Sequence, residues 1–406
     1  MLNKKIAMIL ILLIFMTVLT GCSSNNIDRL TYAIAIGIDV GSNDEMKLSL
    51  QFSIPSNSSS NSSSSSQSSE ATIYSVECSD FNDGINLLNN YVSKRINLSH
   101  TRVVVFSEEF AVGGISDTIY TLINSVQIRP TANIIISKCS AREFLDGAKS
   151  ELEKLSARYY ESIPVSSEYT GYTENISISK FFYDLQNTRK TASAILGAIN
   201  NSSTHTNSNS KQESGTYYAG QTPIETESSG IENTGIAVFN GDKLIGELNN
   251  IETICHLMCT DNLKYCNVTI PNPLGVSDTI DLRLSSRSNV KKNINIVNGN
   301  PYIELEFDIN CQILSMTAHT DYFSDENLEK IQTKLNQYIE RNMINYLYKT
   351  SKDLKSDVSG FGQTAIKLFS TWDEWKDYNW LAKYKNSFFN VKVTSNISSG
   401  QLLIET

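Results

Sequence analysis

Gly235-Ile-Ala-Val-Phe-Asn240-Gly241-Asp-Lys-Leu-Ile-Gly246 reads as an apolar strand, a tight turn and a second strand. An Asn-Gly pair between two such runs is the strongest short hairpin signal, because a two-residue turn needs backbone these residues tolerate best. Upstream, another strand spans 192–199, separated from the hairpin by a stretch over 200–230 rich in Ser, Thr, Asn and Gly. That composition buries too little apolar surface to offset its ordering entropy and predicts a flexible loop. Further back lie a helix start at 179–185 and an aromatic, irregular stretch at 159–172. Before these, strand and helix patterns alternate: strand 102–106, helix 115–126, strand 132–137, helix 141–148. Such alternation predicts layered α/β packing.

Towards the N-terminus, strands at 47–54 and 71–78 flank residues 56–69, where eleven of fourteen positions are serine. This is a second flexible loop, placed inside a domain. A strand at 32–40 precedes it. Asp80 caps a helix whose apolar residues Phe81, Ile85, Leu88 and Val92 recur at helical spacing. Downstream of the hairpin, a short helix at 252–259 leads to strands at 266–270, 279–284, 292–296 and 302–316, the last two flanking Asn298-Gly299-Asn300-Pro301. The longest helix starts near Ser324, with Leu328, Ile331, Leu335, Tyr338, Ile339, Met343, Tyr346 and Leu347 on one apolar stripe. Gly360 and Gly362 interrupt the helical pattern. A Trp-bearing helix at 371–383 and a strand at 388–397 follow.

The first residues carry a different signal. Lys4 and Lys5 precede an uncharged run over 6–19, about 14 residues long, shorter than the roughly 20 that span a bilayer. It ends in Leu19-Thr20-Gly21-Cys22. Small residues before a cysteine suit a peptidase that cleaves ahead of it, so residues 1–21 read as a removable lipoprotein signal peptide. Cys22 is then the lipid attachment site, carrying a diacylglycerol with or without an added N-acyl chain. More than one chain anchors stably where one does not.

The formal net charge of −9 argues against a nucleic-acid partner, which calls for basic patches. Cys78, Cys139, Cys255, Cys259, Cys266 and Cys311 are irregularly spaced, and free, buried thiols are expected of most. Cys255-His256 with Cys259 and Cys266 has metal-capable types, with Cys255 and Cys259 on one helical face. The surrounding apolar helix favours buried thiols, and no metal is expected. Ile36-Gly-Ile-Asp-Val-Gly-Ser42 matches the first phosphate loop of actin-like ATPases, but no second loop follows and it reads as plain strand and turn. His100, His205, His256 and His319 belong to no catalytic pattern. Glu108-Glu109 and Asp373-Glu374 read as solvated pairs, and Gly360-Phe-Gly362 as a bend. No catalytic residue, cofactor or enzymatic activity is proposed. Trp372, Trp375 and Trp380 are read as core, with a partner-binding hot spot or a membrane-surface contact the competing assignments.

Several of these stretches coincide with one family. Leu19-Thr-Gly-Cys22, the Ala-Ile-Gly-Ile-Asp39 strand, and Leu98-Ser-His-Thr-Arg-Val-Val-Val-Phe-Ser-Glu-Glu109 occur in the order of the Ger(x)C spore-germination lipoproteins, as do Ile128-Arg129-Pro130, the Gly235–Gly246 hairpin and Asp357-Val-Ser-Gly-Phe-Gly362. The chain resembles that family, the C subunits of nutrient germinant receptors, over nearly its whole length. The polyserine run and the cysteines at 255, 259 and 266 depart from its pattern. The resemblance implies a mixed α/β, or α+β, ectodomain of three domains, each a small mixed sheet packed with helices, over residues 22–150, 151–265 and 266–406. It further implies attachment to the outer face of the spore inner membrane, beside receptor A and B membrane subunits, in receptor assembly or signalling. Direct capture of a small molecule is doubtful on this reading. The alternative is an extracytoplasmic solute-binding lipoprotein, whose two similar lobes are not visible as a duplication here.

Overall fold

The structure is a computed structural model that describes residues 6, 29–42, 45–53, 71–148, 156–200, 215–224, 230–275, 279–315 and 321–398. The expected signal peptide, Cys22, the serine run at 56–69, most of 200–230, His205 and His319 lie outside the described residues. Among the described residues, fourteen strands form two sheets, one of nine strands and one of five, in the mixed α+β class expected.

The first body contains β1 (Leu30–Val40), β2 (Met46–Ser53), β3 (Ala71–Cys78), α1 (Phe81–Tyr91), β4 (Arg95–Asn97), β5 (Val103–Ser107), α2 (Glu108–Gly113), α3 (Ser116–Asn124), β6 (Asn133–Ser137) and α4 (Ala141–Gly147). It continues through α5 (Ser156–Thr170), α6 (Ile178–Leu185), β7 (Ser193–Asn200), β8 (Gly230–Asn240) and β9 (Lys243–Leu248). Its strand order is β3-β2-β1-β5-β6-β7-β8-β9, with β4 beside the start of β1. The centre, β1-β5-β6-β7, is parallel and both flanks are antiparallel. Central parallel strands are buried on both faces and so read as unbroken apolar runs. Val103, Val104, Val105 and Phe106 are all at most 1% exposed. Asp80 caps α1 as expected, accepting from the amides of Asn82 and Asp83, and Ser140 forms a capping box with Glu143 at the start of α4.

The nine-stranded sheet runs from residue 30 to 248, so the segments on either side of residue 150 share one sheet. The physical reason is the parallel pairing of β6 with β7, which threads the later strands onto the earlier edge.

The second body holds α7 (Asn250–Cys259), β10 (Cys266–Pro271), β11 (Thr279–Ser286), β12 (Lys291–Val297), β13 (Asn300–Ile313) and α8 (Asp325–Tyr348). After a π turn at Lys349–Asp353 come α9 (Gly362–Ala365), α10 (Trp372–Tyr378), α11 (Trp380–Tyr384) and β14 (Phe388–Ser398). The order is β10-β11-β13-β12, with β14 parallel to β13. β13 alternates strictly between buried and more exposed positions, and α8 lays Ile331, Leu335, Ile339, Met343 and Leu347 in the core beneath it. The single Trp-bearing helix expected over 371–383 is two helices. Asn379 takes left-handed backbone (φ 52°) and ends α10 where α11 begins.

β8 joins the bodies. Its alternate side chains point to opposite faces: Ala237 and Phe239 enter the first core, while Ile236 and Val238 enter the second. The hairpin turn has Gly241 at φ 60°, with Asn240 paired to Lys243.

Candidate functional site

Where β7 begins, Arg189-Lys190-Thr191 presses against the turn formed by residues 356–362. The Thr191 amide donates to the Asp357 carbonyl at 3.1 Å. The Thr191 and Ser356 hydroxyls meet at 2.6 Å, and Ser356 Oγ donates onward to the Phe239 carbonyl at 3.2 Å. The approach is close enough to demand glycine: a Cβ on Gly362 would sit 2.4 Å from the Arg189 carbonyl oxygen and 2.7 Å from Trp380 Cδ1.

Asp357 is fully buried at this turn. Its Oδ1 accepts from the Phe361 amide at 3.0 Å, and its Oδ2 from the Gly362 amide at 2.8 Å and Trp380 Nε1 at 2.7 Å. Burial raises its pKa above the usual 3.8, although the Gly362 amide and the indole pull the other way.

Beside the turn lies a chain of buried polar groups. Glu174, between α5 and α6, accepts from His256 Nε2 of α7 at 3.1 Å and from Lys180 Nζ. His256 Nδ1 is 3.1 Å from the Tyr346 hydroxyl of α8, which is 2.6 Å from Ser359 Oγ. One proton arrangement satisfies every member. A neutral His256 protonated on Nε2 donates to Glu174, Tyr346 donates to Nδ1, and Ser359 donates to Tyr346. Lys190 Nζ pairs with Asp184 at 3.0 Å, both side chains under a tenth exposed.

Burial acts on each of these groups, and the neighbours decide the outcome. For Glu174, burial pushes the carboxyl up, but His256, Lys180 and Lys190 outweigh it and hold it well below the usual range. For Lys190, burial pulls down, and Glu174, Asp184 and Asp357 together leave it raised. For His256, burial dominates and the ring is held below 6.5 despite Glu174. The result is a compact ionic joint between the two bodies.

The residues singled out in the sequence take other places. Asp39 is buried, and its carboxylate accepts from the Ala141 and Arg142 amides at 2.6 and 3.1 Å. It supplies the N-terminus of α4 with a negative charge, a structural task for the residue that suggested a phosphate loop. Cys255, Cys259, Cys266 and Cys311 are free and buried, and burial pushes the last three thiols up to about 12. Cys259 Sγ lies 3.5 Å from Met343 Sδ. Among the described residues, no cluster of three His, Cys, Asp or Glu side chains could hold a metal ion. Trp375 and Trp380 are core, whereas Trp372 is half-exposed beneath Lys376. His100 stacks on Tyr32 at 4.2 Å. Glu108 and Glu109 lie in the first turn of α2, and Asp373 and Glu374 in that of α10. Sequence reasoning found His256 only as a metal candidate and Tyr346 only as part of the apolar stripe, and missed Glu174, Lys190 and Ser359. The available signal was a lone histidine inside an otherwise apolar helix.

Two unlike sheets that meet at a buried polar and ionic joint define a two-body α+β protein. Residues 23–200 match the family described as "Spore germination protein N-terminal domain", and residues 234–400 match "Spore germination B3/ GerAC like, C-terminal". The chain belongs to this family of spore germination proteins, the Ger(x)C family. It is 22% identical over 412 residues to the putative spore germination protein YfkR of Bacillus subtilis (strain 168), covering 100% of this chain and 99% of the relative. It is also 22% identical over 403 residues to spore germination protein KC of the same organism, covering 94% and 92%. The crystal structure of the GerBC protein shares the fold, with a TM-score of 0.51 at 12% identity, covering 89% of this chain and 96% of that one.

Proposed function

We propose that this protein is the lipid-anchored C subunit of a nutrient germinant receptor, supporting receptor assembly or signalling at the outer face of the spore inner membrane. The observation that carries this reading is the match of both family segments, in order, across almost the whole chain. Two further features support it. No helix among the described residues is long and apolar enough to cross a membrane, so Leu19-Thr-Gly-Cys22 would supply the attachment. The buried joint packs the two bodies directly against each other, which suits a subunit that braces or relays between membrane partners. Partner A and B subunits are part of this proposal, as is the absence of catalysis. The unlike strand orders of the two sheets do not support the alternative of a solute-binding lipoprotein with two similar lobes.

Cys22→Ala tests the anchor and the role together. The expected outcome is loss of radiolabelled fatty acid from the protein, its release from the membrane fraction, and slowed nutrient germination. Full germination with an unlabelled, unanchored protein would overturn the proposal.

A further inference from the structure

In a chain of net charge −9, residues 84–107 and 118–142 of the first body hold no carboxylate, as is also true of 282–303 and 378–398 in the second. The first two segments carry Lys94, Arg95, Arg102, Arg129, Lys138 and Arg142; the fold gathers the first four at one end of the nine-stranded sheet, while Lys138 and Arg142 lie at the other, beside Glu247 and Asp39. β4 pairs in parallel with the first residues of β1, placing Arg95 opposite Leu30. The Arg102 amide donates to the Ile34 carbonyl and its own carbonyl accepts from the Asn133 amide, so Arg102 lies at the entry of β5 and β6. The segment leading to Arg129 is fastened to the same end, since the Leu98 amide donates to Gln127 Oε1 at 3.0 Å.

Two apolar side chains project at this end. Val126 is fully exposed, and Tyr91, at the last turn of α1 before β4, is 76% exposed. Between Arg102 and Arg129 opens a cleft of about 310 Å³, floored by Thr101, Asn133 and Tyr160. Glu161 of α5 is the carboxylate facing it, 2.9 Å from Arg102 Nε, while Arg129 is exposed. Exposed apolar tips ringed by cations are the composition of a surface that settles into the headgroup layer of an anionic bilayer.

The position of the chain entry indicates the occupant. β1 begins at this end, and Cys22 lies seven residues before Arg29. That span reaches at most about 25 Å, so a lipid on Cys22 holds this end of the sheet close to the membrane.

We infer that the N-terminal end of the nine-stranded sheet is a membrane-docking face: Val126 and Tyr91 enter the headgroup layer, and the Arg102–Arg129 cleft receives the phosphate of an anionic lipid. The inference rests on the lipid anchor proposed above, and its test separates the two.

The full-length protein is mixed with vesicles of phosphatidylcholine, or of phosphatidylcholine with phosphatidylglycerol, then read by flotation and by amide hydrogen exchange. Flotation on phosphatidylcholine reports the anchor; exchange reports the face. The expected result is slowed exchange around residues 94–102 and 125–131 on anionic vesicles alone, with the turn at Asn298-Gly299 unchanged. Each basic residue near an anionic surface contributes about fivefold, so Arg95→Gln with Arg129→Gln reduces the protection by about 30-fold, and Val126→Ser weakens it further. A protein that floats on anionic vesicles only, with protection intact, removes the anchor and keeps the face. Equal protection on neutral vesicles, protection that survives the double substitution, or the same protection from inorganic phosphate without vesicles would overturn the docking face. A protein that floats on neither overturns both.

Discussion

The indole nitrogen of Trp380 donates to Asp357 Oδ2 across 2.7 Å, in a place where neither side chain is more than 1% exposed. A carboxylate withdrawn from water is tolerated only while its donors remain. Trp380→Phe keeps most of the ring and removes one of three donors. It is expected to lower stability by about 1–3 kcal/mol, whereas Trp372→Phe on the half-exposed ring should stay within about 0.5 kcal/mol. Urea unfolding of the two variants side by side measures the contrast, and similar losses in both would sink the idea.

Acid should loosen the joint between the two bodies in two stages. His256 is held below its usual 6.5, so the native state prefers the neutral ring. Stability from that preference is complete above 6.5 and is lost as pH falls below it. Glu174 is held below its usual 4.5, so its share is complete above 4.5 and is lost only in stronger acid. His256→Gln should lower stability near pH 7 by about 1–3 kcal/mol while flattening the decline between pH 6.5 and 5. Melting curves across that window give the answer; an unchanged slope would assign the effect to another group.

Asp39 stabilises α4 through two amide hydrogen bonds from a neighbouring strand. Asp39→Ala leaves those amides without their acceptor and should cost about 1–2 kcal/mol, in the range of a lost helix cap. Denaturant unfolding measures it. A variant as stable as the parent would mean that Ser140, which caps the same helix, suffices alone.

The Gly362→Ala substitution drives a methyl group into the Arg189 carbonyl and the Trp380 ring. A loss of about 3 kcal/mol is expected, at the upper end of overpacking. Gly299→Ala meets open space and bears only its positive φ of 78°, so about 1 kcal/mol is expected there. Comparable stabilities for the two would show that the turn at 356–362 can move away from β7.

Local chemistry made most elements visible in the sequence. Asp80 caps a helix, the Gly235–Gly246 stretch is a hairpin, and the stripe from Ile331 to Leu347 faces a core, because each depends on neighbours a few residues away. α5 was not visible. Pro164 interrupts its pattern and only a few side chains, such as Tyr160 and Ile163, reach the core, so the aromatic stretch read as irregular. The division of the Trp-bearing helix hinges on one left-handed residue, Asn379. The ionic joint was invisible for a different reason. Glu174 and His256 stand 82 residues apart, and His256 and Tyr346 stand 90 apart. No spacing rule connects residues that meet only when two bodies pack. Family resemblance supplied the germination assignment, which no single motif could.

Asn200 and Gly230 face each other as partners across β7 and β8. Whatever lies between them therefore starts and finishes at the same point of a finished sheet. Lengthening such a loop adds closure entropy only logarithmically, about 0.6 kcal/mol per doubling. Residues 215–224 return to the sheet, with Ala219 buried and Asn200 donating to the Thr222 carbonyl, so the natural port for foreign cargo is residues 201–214: a fluorescent reporter, an epitope or a biotin acceptor inserted there would leave both halves of the protein paired. The protein could then be followed in a living spore without altering its joint or the charged end of its larger sheet.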